Sequence, residues 1–558
     1  MLQKFPKLFW AFLIGLFLLN ILQSIYTDLI YDEAYYWYYS NQLDWGYFDH
    51  PPMVALMIWL GGLLFDGELG VRLVGVFFGS GTFMALWLLV DDPRKNKYVA
   101  HFFLLLSAMV LLNVYGFFTL PDTPLLFFTA CFLWAYKGYL KNPSLQNGLL
   151  LGVLMAALMY SKYHAVLVIV FVLLSNLGLL KQRNAWIAVG VALLCYLPHF
   201  LWLNDNAFVT IAYHLSERPN HEYGFAEFTL GYFLNLIVIF GLLFPWVYRA
   251  LFKTKAEDRF TKALLYLTYG VIAFFFVSSF QRRAQAQWAI VICIPLAVLA
   301  FRHLIANKNS RIWMFRMSLV SFVIVLYARL WLIFPSLLPF TYEAHGNAVW
   351  VERLKAKVGE TPVVFRNSYR RAPMFSFYSG EPSYTHNTIT YRRNQYSIDS
   401  SEAWMQHKKV AYVAKADVLP DSSVVFSYRN VDDSKFEGTF IDAFETYRKL
   451  QCELLGDAYM KQEGFRFSVY NPYGSAIALE KLDIRLAYLD RYKELDTLVS
   501  FDYETRIPGT TELKANDTTF FNARWPKVTA NRPSYLKFAI AENGLEAGIN
   551  STSIKVLE

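Results

Sequence analysis

The stretch Tyr31-Asp32-Glu33-Ala34-Tyr35-Tyr36-Trp37-Tyr38-Tyr39, continued by Trp45-Gly46-Tyr47-Phe48-Asp49-His50-Pro51-Pro52, decides how the whole chain is read. From Thr27 to Pro52 there are five carboxylates (Asp28, Asp32, Glu33, Asp44, Asp49) and no Lys or Arg. Nine aromatic side chains lie between Tyr31 and Phe48. The stretch follows directly on an apolar run, Leu8 to Tyr26, long enough to cross a bilayer, which takes about 20 residues. Carboxylates packed among aromatics beside a membrane are costly to desolvate, and that cost marks a site.

Composition agrees with a membrane setting. The 558 residues are 55% hydrophobic and only 17% charged, against about 25% charged in soluble domains. The deficit lies in the first 335 residues, where apolar segments recur near 8–26, 70–90, 98–118, 123–138, 147–161, 163–180, 185–203, 227–249, 262–279, 285–301 and 312–335. This pattern predicts an all-α polytopic membrane domain of about eleven or more transmembrane helices over residues 1–338. Lys4 and Lys7 precede the first run, but that run is too long for a signal-peptide core and no small-x-small site follows, so a retained first helix is expected. The formal charge of +8 fits basic cytoplasmic loops and does not indicate a nucleic-acid partner. Cys131, Cys195 and Cys293 sit inside apolar segments and Cys452 alone in the polar region, so no disulfide framework or cysteine zinc site is readable.

Loop charges orient the segments. With the N-terminus inside and Met53 to Phe65 lying in or re-entering from the interface, the cytoplasmic loops are Asp91–Lys97, Lys137–Asn147, Lys181–Asn184, Arg249–Lys262 and Arg302–Arg311, all basic. The external loops, Thr27–Pro52, Thr119–Pro124, around Lys162, Asn204–Glu227 and Ser278–Gln287, are acidic or neutral apart from Lys162 and Arg282-Arg283. Counting 53–65 as a crossing spoils this pattern. After Pro335 the chain turns polar. Strand-like runs at Pro362–Phe365, Lys409–Ala414, Ser423–Ser427 and Phe467–Tyr470, with a helical stretch at Ser368–Tyr378, predict an extracytoplasmic α/β domain over 339–480 containing a βαβ unit. From Leu482 on, short runs and turn signals predict a β-rich, sandwich-like tail over 481–558. The sequons at Asn516 and Asn550 carry little weight.

Five groups of residues are able to carry chemistry. Asp32 reads as the cap of a short helix starting at Glu33, which would hold the acidic pair rigidly. Asp49 and His50 close the loop that Asp32 opens, and Pro51-Pro52 fix their direction. Asp122, in Leu120-Pro121-Asp122-Thr123-Pro124, is an ionisable residue at the edge of a long apolar stretch. Lys162 and the Arg282-Arg283 pair are cations on the external side, suited to a lipid phosphate. Tyr35, Trp37, Trp45 and Tyr47 set flat aromatic faces beside these groups.

Asp-Glu in the first external loop, an aromatic helix, Tyr-Phe-Asp-His-Pro-Pro and then a short apolar helix together resemble the glycosyltransferase C superfamily. Within it they look like the branch of protein O-mannosyltransferases and lipid A aminoarabinose transferases. The resemblance covers about residues 1–335; the rest matches no named pattern. It implies transfer of a sugar from a polyprenyl-phosphate donor to a hydroxyl of a glycolipid, lipid A or a protein. The setting is the external face of a bacterial inner membrane. Asp32, with Glu33 beside it, and Asp122 take the catalytic places. Tyr35, Tyr47, Asp49, His50, Lys162, Arg282 and Arg283 take the substrate-binding ones. Where the aminoarabinose transferases have Glu-Lys before the two prolines, this chain has Asp49-His50, the mannosyltransferase-like form. No cofactor is required on this reading, and a divalent Mg or Mn is an option where Asp32, Asp49 and Asp122 converge. The competing class is a transporter or flippase for a lipid-linked sugar. That class places its charges near the bilayer midplane, whereas here they gather at one face.

Overall fold

The computed structural model describes residues 5–526 and 532–557, so Lys4 of the basic N-terminus lies outside the described residues. The chain divides into two compact units. One is helical, running to Ala207 and then from Tyr223 to His345; the other takes Phe208–Glu222 and everything from Gly346 on. The boundary was expected at 338; the second unit takes the chain from Gly346 and also a short segment from within the helical part.

In a chain this apolar the backbone must satisfy its own polar groups, and the helical unit does so with helices. They are α1 (Lys7–Tyr26), α2 (Tyr31–Ser40), α3 (Met53–Gly62), α4 (Gly67–Leu89), α5 (Val99–Ser107), α6 (Val110–Val114), α7 (Asp122–Lys141), α8 (Leu145–Ser161), α9 (Ala165–Ser175) and α10 (Arg183–Asp205). After α11 (Val209–Ala212), which lies in the second unit, come α12 (Gly231–Phe240), α13 (Phe244–Lys253), α14 (Arg259–Ser278), α15 (Cys293–Ala306) and α16 (Lys308–Ile333). Among the described residues, six helical stretches are long and apolar enough to cross a membrane: α1, α4, α10, Ala226–Lys253, α14 and α16.

The remaining apolar segments fold shorter than their hydropathy implies. The segment near 98–118 breaks after Ser107 into α5 and α6. The stretch Ala226–Lys253, one of the six, is itself broken at Gly241, whose φ of +54° only glycine adopts freely, and Pro245 then starts α13. Helix α3 has ten residues, roughly 15 Å of rise and half of what a crossing needs. Helix α15 is apolar all round and buried on nearly every side, the mark of a core helix.

The second unit begins with α17 (Asn347–Val358), β1 (Val363–Arg366), α18 (Arg371–Ser379), β2 (Ser383–His386), α19 (Ser401–Met405), β3 (Lys408–Lys415), β4 (Phe426–Arg429) and β5 (Lys435–Phe444). The sheet order is β2-β1-β3-β5-β4. Strand β1 is parallel to both β2 (Val363↔Ser383) and β3 (Val363↔Ala411). The expected βαβ unit is present, but α18 leads first into β2. That strand was unreadable because Ser383-Tyr384-Thr385-His386 has no apolar alternation, although all four residues are buried.

The tail adds β6 (Gln451–Leu454), β7 (Ala458–Tyr459), β8 (Gly464–Asn471), β9 (Ile477–Ala478), β10 (Leu482–Leu489), β11 (Leu495–Ser500), β12 (Tyr503–Thr505), β13 (Glu512–Leu513), β14 (Asp517–Arg524), β15 (Tyr535–Glu542) and β16 (Ile554–Leu557). Sheets β11-β10-β15-β16-β7 and β12-β14-β8-β6 share one core. Leu482, Ile484, Leu486 and Tyr488 alternate inward from β10, and Phe467 stacks on Phe538 across the sheets at 5.0 Å. These sheets draw strands from both sides of residue 480, since β8 pairs with β14. The sequon at Asn550 is unsuited to modification. Its side chain is buried, accepting from the Ile540 N–H at 2.8 Å and donating to the Leu450 carbonyl at 2.9 Å.

Candidate active site

The acidic, aromatic loop is built on a buried arginine that sequence reading passed over. Arg72 lies in the first turns of α4 and is fully buried. Its five N–H groups all have acceptors: Nε and Nη2 donate to Glu33 at 2.9 and 2.6 Å. Nη1 donates to the carbonyls of Ser24 (3.1 Å) and Thr27 (2.6 Å), and Nη2 also to that of Asp28 (2.9 Å). The guanidinium thus satisfies open carbonyls at the C-terminal end of α1, where a cation is favoured. Glu33 accepts in addition from the backbone N–H of Thr119 at 2.9 Å and of Ile30 at 3.3 Å. Glu33 was expected among the catalytic carboxylates. It is instead wholly buried with both oxygens taken, and its place is to hold α1, α2, α4 and the 119 loop together. Helix α2 starts two residues earlier than expected, at Tyr31. Asp32 is therefore a half-buried residue of its first turn rather than its cap.

Asp122 and Lys162, separate in the sequence reading, come together. The Lys162 ammonium donates to both Asp122 oxygens, at 2.7 and 2.9 Å, and both side chains are buried. Asp122 opens α7, and Lys162 sits in the break between α8 and α9, where Ser161 ends one helix and Ala165 starts the next. Tyr115 is buried within electrostatic reach of both Asp122 and Asp32, the two carboxylates that the sequence singled out; nothing in its apolar surroundings drew attention to it.

The rest of the loop is a tyrosine scaffold. Tyr35 and Tyr39, one turn apart on α2, both point their hydroxyls at Asp49, at 3.0 and 3.4 Å. Tyr39 stacks on Tyr47 with centroids 4.2 Å apart, and the Tyr47 hydroxyl donates to the carbonyls of Tyr39 and Gln42. His50 meets Tyr36 edge-on at 5.6 Å. Tyr35, Tyr47 and Asp49, expected to touch substrate, are buried within this scaffold.

Two residues of α10 clamp the loop from the other side. His199 Nδ1 is 2.6 Å from the Trp45 carbonyl, and the Trp202 indole donates to Asp44 at 2.8 Å. Gly46 lies against Trp202 so closely that a Cβ there would be 2.3 Å from the ring. Of the two expected phosphate cations in the loop after α14, Arg283 is exposed and Arg282 half-buried. A further cation, Arg329 in α16, is buried on Asn113 (2.9 Å) and Asn20 (2.6 Å) with Phe117 beneath it at 4.4 Å. Arg72 and Arg329 each had a sequence signal, a charge inside an apolar helix. Among the described residues no group of three or more His, Cys, Asp or Glu side chains is placed to hold a metal. Asp49 is engaged by tyrosines and Asp122 by a lysine.

Residues 49–202, which include Asp49, His50, Asp122 and Lys162, match the dolichyl-phosphate-mannose-protein mannosyltransferase family. The chain is 27% identical over 293 residues to the lipid A galacturonosyltransferase RgtD of Rhizobium johnstonii, a match spanning 49% of this chain and 60% of that protein. The fold is similar to the crystal structure of ArnT from Cupriavidus metallidurans in the apo state, with a TM-score of 0.55 at 17% identity. The match covers 77% of this chain and 97% of that one. The same ArnT bound to undecaprenyl phosphate matches with a TM-score of 0.52 at 16% identity, over the same shares.

Proposed function

We propose that this chain, which has the fold of the glycosyltransferase C superfamily of membrane proteins, transfers a sugar from a polyprenyl-phosphate donor to a hydroxyl of a glycolipid acceptor. The observation that carries the reading is the buried Asp122–Lys162 pair, with half-buried Asp32 within electrostatic reach of the same Tyr115. Breaking a sugar phosphodiester requires an oriented, deprotonated hydroxyl and a stabilised phosphate leaving group. Asp32 takes the proton of the acceptor hydroxyl as its oxygen attacks the anomeric carbon. The bond to the phosphate oxygen breaks in the same step, so configuration inverts. An ammonium has three hydrogens; Asp122 receives two from Lys162 and sets the direction of the third towards the departing phosphate. Arg282 and Arg283 supply further positive charge on the same side.

The acceptor is read from the relative named a lipid A galacturonosyltransferase, and the polyprenyl phosphate from the ligand of the ArnT structure. The external face is read from loop charge: Asp32, Asp122 and Lys162 fall in the loops opposite the basic ones.

The test is transfer by purified full-length protein from a polyprenyl-phosphate sugar to lipid A. Asp32→Asn should remove transfer while the protein still folds in membranes; near-normal transfer by that variant sinks the general-base role. Activity that disappears in strong chelator would require a divalent ion in the step. Mass spectrometry of envelope lipids with and without the protein identifies the sugar and acceptor.

A further inference from the structure

Helix α13 does not continue the line of α12. The Tyr248 hydroxyl donates to the Leu236 carbonyl at 3.0 Å, although the 12 residues between them would span roughly 18 Å of straight helix. Phe240 also meets Tyr248 edge-on, with centroids 5.6 Å apart. The break at Gly241 and Pro245 is therefore an elbow, and a groove of about 830 Å³ lies between its two arms.

The groove is apolar along its length and basic at one end. Phe233, Leu236 and Ile237 line it from one face of α12, and Tyr248 and Phe252 line it from α13. Phe233, Ile237 and Phe252 are exposed. Arg249 and Lys253, one turn apart on α13, line it as well and are exposed too. Among the described residues neither cation has a carboxylate partner, and the chain from Phe228 to Lys253 contains no Asp or Glu. Asp258, the next aspartate along the chain, is taken by Thr261, which donates to it through both its backbone N–H and its hydroxyl. The other side of α13 is spent on packing: Val247, Ala250 and Leu251 are buried in the helical core. The side that stays open is the one with the aromatic rings and the cations.

We infer that this elbow binds one anionic phospholipid of the surrounding bilayer. Arg249 and Lys253 hold its phosphate, and an acyl chain lies against Phe233, Ile237 and Phe252. An exposed apolar trough that ends in two uncompensated cations matches a molecule carrying both a hydrocarbon chain and an anion. A free phosphate would leave the trough bare, and a zwitterionic lipid would bring a cation of its own towards the arginine. Loop charge assigns Arg249 to the cytoplasmic side, where basic residues next to a membrane attract anionic lipid. The lipid therefore occupies the leaflet opposite Asp32 and Lys162, and the inference does not depend on sugar transfer.

The test is native mass spectrometry of the full-length protein in detergent, titrated with phosphatidylglycerol and, separately, with phosphatidylcholine of the same chains. One phosphatidylglycerol should bind per chain, with an affinity roughly tenfold or more above that of phosphatidylcholine, the scale of two cations beside a lipid phosphate. Equal affinity for the two lipids overturns the inference. R249Q combined with K253Q should abolish the preference and leave phosphatidylcholine binding unchanged; a preference that survives both substitutions overturns the site. Ile237→Trp fills the trough and keeps both cations, so it should lose the bound lipid as well. Full retention by that variant would overturn the trough and leave only surface attraction. Undecaprenyl phosphate that displaces phosphatidylglycerol one for one would overturn the phospholipid as occupant. The substituted side chains are all exposed, and a melting temperature equal to the parent's shows that each variant is folded.

Discussion

Two buried ion pairs border Asp32, and they are built differently. Glu33–Arg72 is saturated: every Arg72 N–H has an acceptor and both Glu33 oxygens are taken several times over. Asp122–Lys162 is a pair of smaller reach, a bidentate contact at a helix start and a helix break, with a phenol beside it. A guanidinium with five donors in a fixed fork is suited to tying backbone ends together. An ammonium on a flexible stem, with a hydrogen to spare, is suited to meeting a ligand. On the proposed function, the contrast separates a charge that holds the site from one that works in it, a distinction that burial alone does not make.

The largest effect should come from opening the saturated pair. Glu33→Gln or Arg72→Met leaves one buried charge without its partner, a loss of about 3–5 kcal/mol. Each should deplete folded protein on size exclusion in detergent. The double substitution should recover part of that loss, because no lone charge remains; single variants that melt like the parent would break the comparison. Lys162→Met should behave oppositely, keeping the fold because Asp122 can take up a proton, while transfer falls roughly 10²-fold. If Asp122→Asn and the double variant lose about as much as Lys162→Met, the two act as one unit.

Gly46→Ala addresses the clamp from α10. A Cβ lying 2.3 Å from the Trp202 ring forces backbone movement, with about 1–3 kcal/mol lost and a lower melting temperature.

A network in the second unit gives a pH control free of the membrane. Burial pushes Glu402 up to about 7, although Tyr473 and the Arg448 N–H both donate to it. Burial and the neighbouring Arg448 hold His386 down at about 4. Folded Glu402 keeps its proton longer than the unfolded chain does, so its contribution is complete at low pH and is lost as pH rises towards 7. His386 sheds its proton earlier when folded, so its contribution grows from about pH 4 to the ordinary histidine range. The two slopes oppose each other. Glu402→Gln should therefore expose a rise in stability across that window, on the order of 1–3 kcal/mol, read by urea unfolding at a series of pH values. A flat profile would show that His386 does not stay neutral.

The smallest effect is expected of Tyr115→Phe, which deletes the hydroxyl within electrostatic reach of both carboxylates. We expect a roughly tenfold fall in kcat with donor KM unchanged.

The architecture was legible where hydropathy and loop charge carry it: the apolar helical unit, the short α3 and the change to a polar, strand-rich chain after it. Helix length was less legible, because breaks such as that at Gly241 depend on one backbone angle inside a uniformly apolar run. In the site, Asp32, Asp122 and Lys162 stood out because charge beside a membrane is costly. Their grouping did not, because α7 and the α8–α9 break meet only in three dimensions. Glu33 was read as reactive for the same reason that it is structural. An acidic residue beside a membrane looks alike in either role until its partner is known, and Arg72 was hidden in a span assigned by its apolar neighbours. Tyr115, His199 and β2 carry no pattern that periodicity detects.

The pairing of buried charges also bears on the order in which the chain is made. Glu33 precedes Arg72 by 39 residues, and Asp122 precedes Lys162 by 40. Arg329 follows Asn113 by 216 residues and Asn20 by 309. In each case the acceptor leaves the ribosome first. At roughly 5–20 residues per second, Glu33 is out some seconds before Arg72, a residue whose lone insertion costs about 2.5–3.5 kcal/mol. In the helical unit the growing protein thus lays down these counter-groups ahead of the cations that need them.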